Sequence, residues 1–155
     1  MINISSFSRL PVCVFGLGCS GFSSALALKY SGALVSVWDD SEIARLQALE
    51  AGLELVDLYR ADWSAYSALV LSPGVALNHP EPHIIVQRAR ENGIEIIGDI
   101  ELLARSNLKA RVIGITGTNG KSTTTALIGH LLHNAGHSVQ VGGNLGVPVL
   151  DLDPM

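Results

Sequence analysis

A glycine-rich stretch followed by a lysine–serine pair occupies residues 114–123, where the sequence reads GITGTNGKST. Gly117 and Gly120 allow the backbone to curl so that successive N–H groups face phosphate oxygens, and a helix beginning at the lysine adds partial positive charge. Lys121 can reach the β- and γ-phosphates of a nucleotide, and the Ser122 hydroxyl can bind Mg²⁺. Because Ile115 stands where strict motif spacing has a glycine, the stretch predicts a variant phosphate-binding loop.

A second glycine motif lies near the start of the chain, in VCVFGLGCSG at residues 12–21. Gly16, Gly18 and Gly21 have the spacing G-x-G-x-x-G, which provides a tight turn, close approach of a diphosphate and close packing of a helix on a strand. Asp39 follows about 20 residues later, where a ribose-binding acid belongs. The motif predicts a diphosphate site but leaves open whether the ligand is NAD or another nucleoside diphosphate.

Alternating apolar and helical patterns predict the elements that must position these loops. Short strands are predicted at 11–15, 33–38, 53–56, 68–71 and 94–97, and helices at 21–31, 41–51, 81–92 and 99–105. Repeated strand–helix–strand units call for right-handed crossovers and a parallel sheet with helices on both faces. The predicted fold class is therefore α/β, with a Rossmann-like parallel sheet domain.

After the polar stretch SNLKAR the pattern restarts, with a strand predicted at 112–116, a helix at 121–135 and a strand at 138–142. A two-stranded piece cannot bury both faces of its sheet. We therefore expect a nucleotide-binding domain over residues 1–107 and the incomplete start of a P-loop α/β ATPase domain over residues 108–155. On this interpretation the sequence is the N-terminal part of a longer protein.

Composition and charge argue against several classes of partner. The net charge is −4 at pH 7 with no block of basic residues, which disfavours a nucleic-acid or anionic-membrane surface. No apolar run approaches the ~20 residues needed to cross a bilayer, and the N-terminus does not resemble a secretion signal. Cys13 and Cys19 form neither a zinc motif nor a disulfide framework. We expect a cytoplasmic protein with no nucleic-acid or membrane partner.

The motifs in their order resemble one enzyme family. TGTNGKS at 116–122, followed by GGNLGVP at 142–148, is similar to the Mur ligases and the related folylpolyglutamate synthetases. GLGCSG at 16–21, SPGVAL at 72–77 and GDIEL at 98–102 resemble the Mur ligases that add D-glutamate. The resemblance implies an enzyme of peptidoglycan precursor synthesis that uses ATP and Mg²⁺ to join D-glutamate to UDP-N-acetylmuramoyl-L-alanine through an acyl phosphate.

The resemblance also implies roles for individual residues, with Lys121 as the catalytic residue and Ser122 as a ligand of Mg²⁺. The implied ATP-binding residues are Gly117, Thr118, Asn119, Gly120, Lys121, Ser122 and Thr123. The implied UDP-sugar-binding residues are Gly16, Leu17, Gly18, Cys19, Ser20, Gly21, Asp39, Asp40, Gly74 and Asn144. Asp40-Ser41 departs from the Thr-Arg that the family often has after the strand-end aspartate, and this departure falls at the uracil contacts.

Other functions remain open on the sequence alone. They are another Mur ligase, a folylpolyglutamate synthetase, a non-catalytic nucleotide-binding module and an NAD-linked oxidoreductase. The first glycine loop argues against the folate enzyme, and an oxidoreductase leaves TGTNGKST unexplained. We expect the full enzyme to be a monomer. We also expect this chain alone to be inactive, because the remaining Mg²⁺ ligands and the D-glutamate site would lie beyond Met155.

Overall fold

Residues 1–106 and 108–154 are described by a computed structural model of the chain. Its sheet consists of β1 (Pro11–Phe15), β2 (Leu34–Trp38), β3 (Glu54–Leu55), β4 (Ala68–Leu71) and β5 (Glu95–Ile97). The strand order is β3-β2-β1-β4-β5, and all neighbouring strands are parallel. The five strands predicted for the first domain are therefore confirmed, and so is the Rossmann-like α/β fold.

The helices are α1 (Cys19–Tyr30), α2 (Glu42–Glu50), α3 (Ile84–Glu91), α4 (Asp99–Ala104) and α5 (Lys121–Asn134). Helix α1 begins two residues before its predicted start because Gly18 is its N-cap. Helix α3 begins three residues after its predicted start because His83 caps it and accepts a hydrogen bond from the backbone N–H of Ile85.

Alternate residues of β1 enter two apolar cores, one on each face of the sheet. Val12 and Val14 pack in a cluster that also contains Leu28 of α1. Cys13 and Phe15 pack in a second cluster on the opposite face, with side chains from α3. Burial raises the pKa of the Cys13 thiol to about 12, so this cysteine stays protonated and packs as a small apolar residue.

Helix α2 presents its apolar stripe to solvent. Ile43, Leu46 and Leu49 are exposed, and the buried residue of this helix is Ala48. Helix α2 connects β2 to the two-residue edge strand β3, so little of the sheet lies beneath it. The three apolar residues share one face of the helix, as their spacing of three indicates, but this face points to solvent and not to the core.

The second unit differs from its prediction in its strands. Helix α5 is present, but residues 112–116 and 138–142 do not form strands. A strand exists only with a partner, and in the described part of this region the pairing is a single isolated bridge from Gly142 to Val147. The predicted domain boundary falls on Asn107, which, like Met155, lies outside the described residues. The two-domain division stays a prediction.

The last described segment returns to the first domain as a short 3₁₀ helix, Val149–Asp151. Val149 and Leu150 are buried in the same core as Leu28. The Leu150 carbonyl accepts a hydrogen bond from Ile2 N at 2.9 Å, and Ser23 Oγ of α1 donates to Asp151 Oδ1 at 2.8 Å. Among residues 1–106 and 108–154, none of the helices has the length and apolar character required to span a membrane.

The two helix environments predict different responses to the same truncation. Leu28→Ala removes a fully buried side chain and should lower the free energy of unfolding by about 2–5 kcal/mol. Leu46→Ala, at a position that is 53% exposed, should change it by no more than about 0.5 kcal/mol. Urea denaturation followed by circular dichroism measures both, and equal losses would contradict the exposed position of the α2 stripe.

Candidate functional site

The carboxyl ends of β1, β2 and β4 meet at one edge of the sheet. Since β1 lies between β2 and β4, the connections leave these strands in opposite directions, and a crevice opens at this switch point. A cavity of about 230 Å³ lies there, lined by Phe15, Gly16, Asp39, Asp40, Gly74, Val75, Ala76 and His83. The fold thus brings together Gly16, Asp39, Asp40 and Gly74 from the sequence-predicted set.

The turn from β1 into α1 has no room for side chains at two of its glycines. Gly16 has φ +88°, and a Cβ there would lie 2.6 Å from the Cβ of Ser72. A Cβ on Gly21 would lie 1.8 Å from the carbonyl oxygen of Gly16. Gly18 has an extended backbone, and a Cβ added there would have nothing within 4 Å, so the open side of the loop is at this middle glycine.

The N-terminus of α1 has free hydrogen-bonding capacity at the open side of the loop. Gly18 is the N-cap, and no side chain in the described part of the chain caps it. Cys19 and Ser20 are the first two residues of this 12-residue helix. Because the first N–H groups of a helix lack partners within it and carry partial positive charge, this end of α1 can bind an anion such as a diphosphate.

Asp39 holds the glycine loop against the end of β2. Its Oδ2 accepts a hydrogen bond from the backbone N of buried Leu17 at 2.5 Å, and its Oδ1 accepts one from Ser41 N at 2.7 Å. A carboxylate oxygen has more than one acceptor position, so Asp39 can bind a ligand hydroxyl in addition. Its first role in the structure is nevertheless to position the loop.

Asp40 stands next to two polar aromatic side chains that sequence reasoning missed. The Tyr59 hydroxyl donates to Asp40 Oδ1 at 2.8 Å, and His83 Nε2 lies 3.8 Å from Asp40 Oδ2. Partial burial, and then the hydrogen bond to the Asp40 carboxylate, raise the pKa of Tyr59 to about 12. The phenol therefore stays protonated and keeps donating to Asp40.

The negative charge at the cavity favours a ligand that carries hydrogen-bond donors. Its described lining contains two carboxylates and no lysine or arginine. Arg45 lies nearby, but its guanidinium donates to the carbonyls of Asp39 and Asp40 and stacks on the Trp38 ring at 4.8 Å. Phosphates would be repelled by the carboxylates and attracted by the N-terminus of α1, so the crevice has one end that favours an anion and one that favours hydrogen-bond donors.

The second glycine loop precedes α5, a helix of 14 residues. Gly117 and Gly120 have φ +147° and +75°. Gly120 is the N-cap of α5, and no described side chain makes a capping hydrogen bond there. The Lys121 ammonium group donates to the carbonyls of Gly117 and, at 3.4 Å, Thr118. Residues 117–123 are all exposed. An uncapped helix start beside a lysine whose hydrogen bonds within the described residues go to loop carbonyls fits a phosphate group.

Not every residue predicted to bind the substrate or ATP lies at the cavity. Asn144 is exposed in a turn between Gly142 and Val147 and, like the loop at 117–123, does not belong to the described lining. His83, in the lining, and Tyr59, bonded to Asp40, lie outside the motifs that predicted the site. The signal available in the sequence was the position of His83 at the end of the loop that follows β4, a strand beside the switch point.

The family model for the Mur ligase MurD-like N-terminal domain matches residues 11–98, which include the whole cavity lining. The chain belongs to the MurD-like Mur ligases. The UDP-N-acetylmuramoylalanine–D-glutamate ligase of Phenylobacterium zucineum is 52% identical over 161 aligned residues, covering 100% of this chain and 34% of the relative. That of Rhizobium meliloti is 51% identical, covering 99% of this chain and 34% of the relative.

This MurD-like chain therefore spans about a third of the length of the curated relatives it matches. Among solved structures, shikimate dehydrogenase from Aquifex aeolicus matches with a TM-score of 0.50 and 18% identity. The match covers 63% of this chain and 45% of that one. At this identity the likeness concerns the Rossmann-like fold alone, and it carries no implication for the ligand.

Two glycine-to-alanine variants should differ in stability, because Gly21 is tightly packed and Gly18 faces open space. Gly21→Ala places a methyl group against the Gly16 carbonyl and should lower the free energy of unfolding by at least about 3 kcal/mol. Gly18→Ala enters open space at an extended N-cap and should cost no more than about 1 kcal/mol. Chemical denaturation measures both, and a stable Gly21→Ala variant would contradict the close approach of α1 to β1.

Proposed function

We propose that this chain supplies the UDP-binding domain and the ATP loop of an enzyme that adds D-glutamate to UDP-N-acetylmuramoyl-L-alanine. The observation that carries the proposal is the cavity at the switch point, whose lining lies wholly inside the span matched by the MurD-like family model. The names of the curated relatives, at about half identity over the chain, support the same reaction.

In this proposal the first loop holds the UDP part of the substrate. The N–H groups at the start of α1, from Gly18, Cys19 and Ser20, bind the diphosphate, and Gly18 lets it approach the backbone. Asp39 and Asp40 accept hydrogen bonds from the O–H and N–H groups of the nucleoside. Gly74 lines the crevice, and the buried residues Leu17 and Gly21 hold the loop in place.

The second loop holds the nucleotide that drives the reaction. When bound, ATP with Mg²⁺ supplies the phosphoryl group that turns the substrate carboxylate into an acyl phosphate. Lys121 would donate to phosphate oxygens in place of the loop carbonyls and neutralise part of their charge. The Ser122 hydroxyl, at the second position of α5, would be a ligand of Mg²⁺. The backbone N–H groups of the loop face the phosphates.

Three further assignments complete the proposal. Thr118, Asn119 and Thr123 lie in or beside the same exposed loop and contact ATP. Asn144, in the turn after Gly142, contacts the sugar–peptide part of the substrate near the reacting carboxylate. The enzyme acts as a cytoplasmic monomer in peptidoglycan precursor synthesis.

The proposal predicts which nucleotide the first site prefers. The 155-residue chain should bind UDP with a dissociation constant at least about tenfold lower than that for NAD⁺, a difference of about 1.4 kcal/mol. The reason is that a single nucleoside diphosphate fills the loop and the carboxylate-lined cavity, and nothing in the described lining calls for a nicotinamide. Isothermal titration calorimetry gives both constants, and tighter binding of NAD⁺ would overturn the UDP assignment.

The second loop predicts that a substitution at Lys121 lowers the affinity for MgATP alone. Lys121→Ala should weaken binding of MgATP by about 10–100-fold, the worth of a charge-assisted contact to phosphate, and leave UDP binding unchanged. Lys109→Ala removes the same charge from an exposed position outside the loop and should leave both affinities unchanged. Titration with a fluorescent ATP analogue measures the effect, and MgATP binding that is equal in both variants would remove Lys121 from the site.

A further inference from the structure

His83 has only part of its ring available to a ligand. Its imidazole packs on the ring of Phe15, with centroids 4.8 Å apart and planes tilted by 36°. The side chain is 26% exposed, and it lines the cavity. Since one face of the ring is packed against Phe15, the polar edge is what His83 can offer to the cavity.

The cap of α3 fixes which nitrogen of His83 carries the proton. Nδ1 accepts a hydrogen bond from the backbone N of Ile85 at 3.3 Å, so it has no proton of its own in the neutral ring. The neutral imidazole therefore carries its hydrogen on Nε2. This nitrogen is a donor, and it is the one that lies toward Asp40.

A donor and an acceptor consequently stand side by side at the cavity. His83 Nε2 and Asp40 Oδ2 are 3.8 Å apart, too far for a hydrogen bond between them. The other carboxylate oxygen, Oδ1, is held by the Tyr59 hydroxyl at 2.8 Å. Tyr59 thus fixes the carboxylate, and Oδ2 and Nε2–H can be satisfied together by a ligand that offers an N–H group next to an oxygen.

We propose that His83 is a base-recognition residue, whose Nε2–H donates to a carbonyl oxygen of uracil while Asp40 accepts the neighbouring imino N–H. This inference rests on the proposed binding of UDP at the first loop. Uracil presents an imino N–H flanked by carbonyl oxygens, which complements the donor–acceptor pair. Cytosine has an unprotonated ring nitrogen at the same place, and that nitrogen would face the Asp40 carboxylate as a second acceptor.

The pair therefore selects UDP against CDP by both attraction and repulsion. The binding edge of the base, and not its ring face, carries the recognition, because Phe15 already packs on the His83 ring. Asp40 follows β2, whereas His83 is the N-cap of α3 and follows β4, so the pair is assembled from the two sides of β1.

Two substitutions separate the cap from the ligand contact. His83→Asn keeps an oxygen that can accept from Ile85 N, since asparagine is a favoured N-cap, but it cannot place a donor where Nε2 lies. His83→Gln gives a side chain long enough to return an amide N–H to that place. His83→Asn should raise the dissociation constant for UDP by about 3–10-fold, the worth of one hydrogen bond, and lower the UDP-to-CDP preference by a similar factor.

The measurements are calorimetric titrations of the 155-residue chain with UDP and with CDP, together with thermal unfolding of each variant. His83→Gln should recover most of the preference for UDP that His83→Asn loses, while the melting temperature of His83→Asn stays close to that of the wild type. The control variant Gln87→Ala, on the exposed side of α3, should leave both nucleotide affinities unchanged.

Each alternative outcome has its own meaning. Unchanged UDP affinity and unchanged UDP-to-CDP preference in a folded His83→Asn variant would overturn the inference and leave the UDP site intact. Equal losses for UDP and CDP, with a large fall in melting temperature, would assign His83 a purely structural role and also overturn it. Absence of UDP binding by the wild-type chain would overturn the proposed function, and the inference with it.

Discussion

Helix α1 packs through Gly21 directly against the carbonyl of Gly16, and the rest of the site depends on that contact. The approach is so close that a single methyl group on Gly21 would lie 1.8 Å from the carbonyl oxygen. It brings the helix start to the carboxyl edge of the sheet and lets Ala25 and Leu28 reach the core. The same glycine therefore allows the packing and sets the position of the helix start, because only a helix this close to β1 presents its N–H groups at the switch point.

A site for an anion that contains two carboxylates needs an electrostatic explanation. Asp39 accepts from two backbone N–H groups and Asp40 accepts from the Tyr59 hydroxyl, so fixed donors stabilise both carboxylates beside the cavity. The uncapped start of α1 is then the part of the crevice that favours an anion. This separation of charge would orient the proposed nucleotide, with its phosphates at the helix and its nucleoside beside the acids.

The sequence was sufficient for features that are local. Gly16, Gly18 and Gly21 have a spacing that reflects one turn, and the strands are short apolar runs whose type is set by neighbouring residues. Tyr59 and His83 could not be found this way, because they lie 24 residues apart and meet at Asp40 only through the order of the sheet. The strands expected at 112–116 and 138–142 fail for a related reason, since pairing requires a partner that local pattern does not supply.

Helix α1 also links the two loops. Its N-terminus belongs to the first site, while Ser23, one turn further on, donates to Asp151 in the segment that follows the second loop. Val149 and Leu150 are buried in the core beneath that bond, so the chain between Asn144 and Asp151 is anchored to the helix by both packing and a hydrogen bond. The start of α1 and the turn at Asn144 are thereby both attached to the same helix. Under the proposed function, this shared support would hold the nucleotide site at the start of α1 and the substrate contact at Asn144 at a fixed separation.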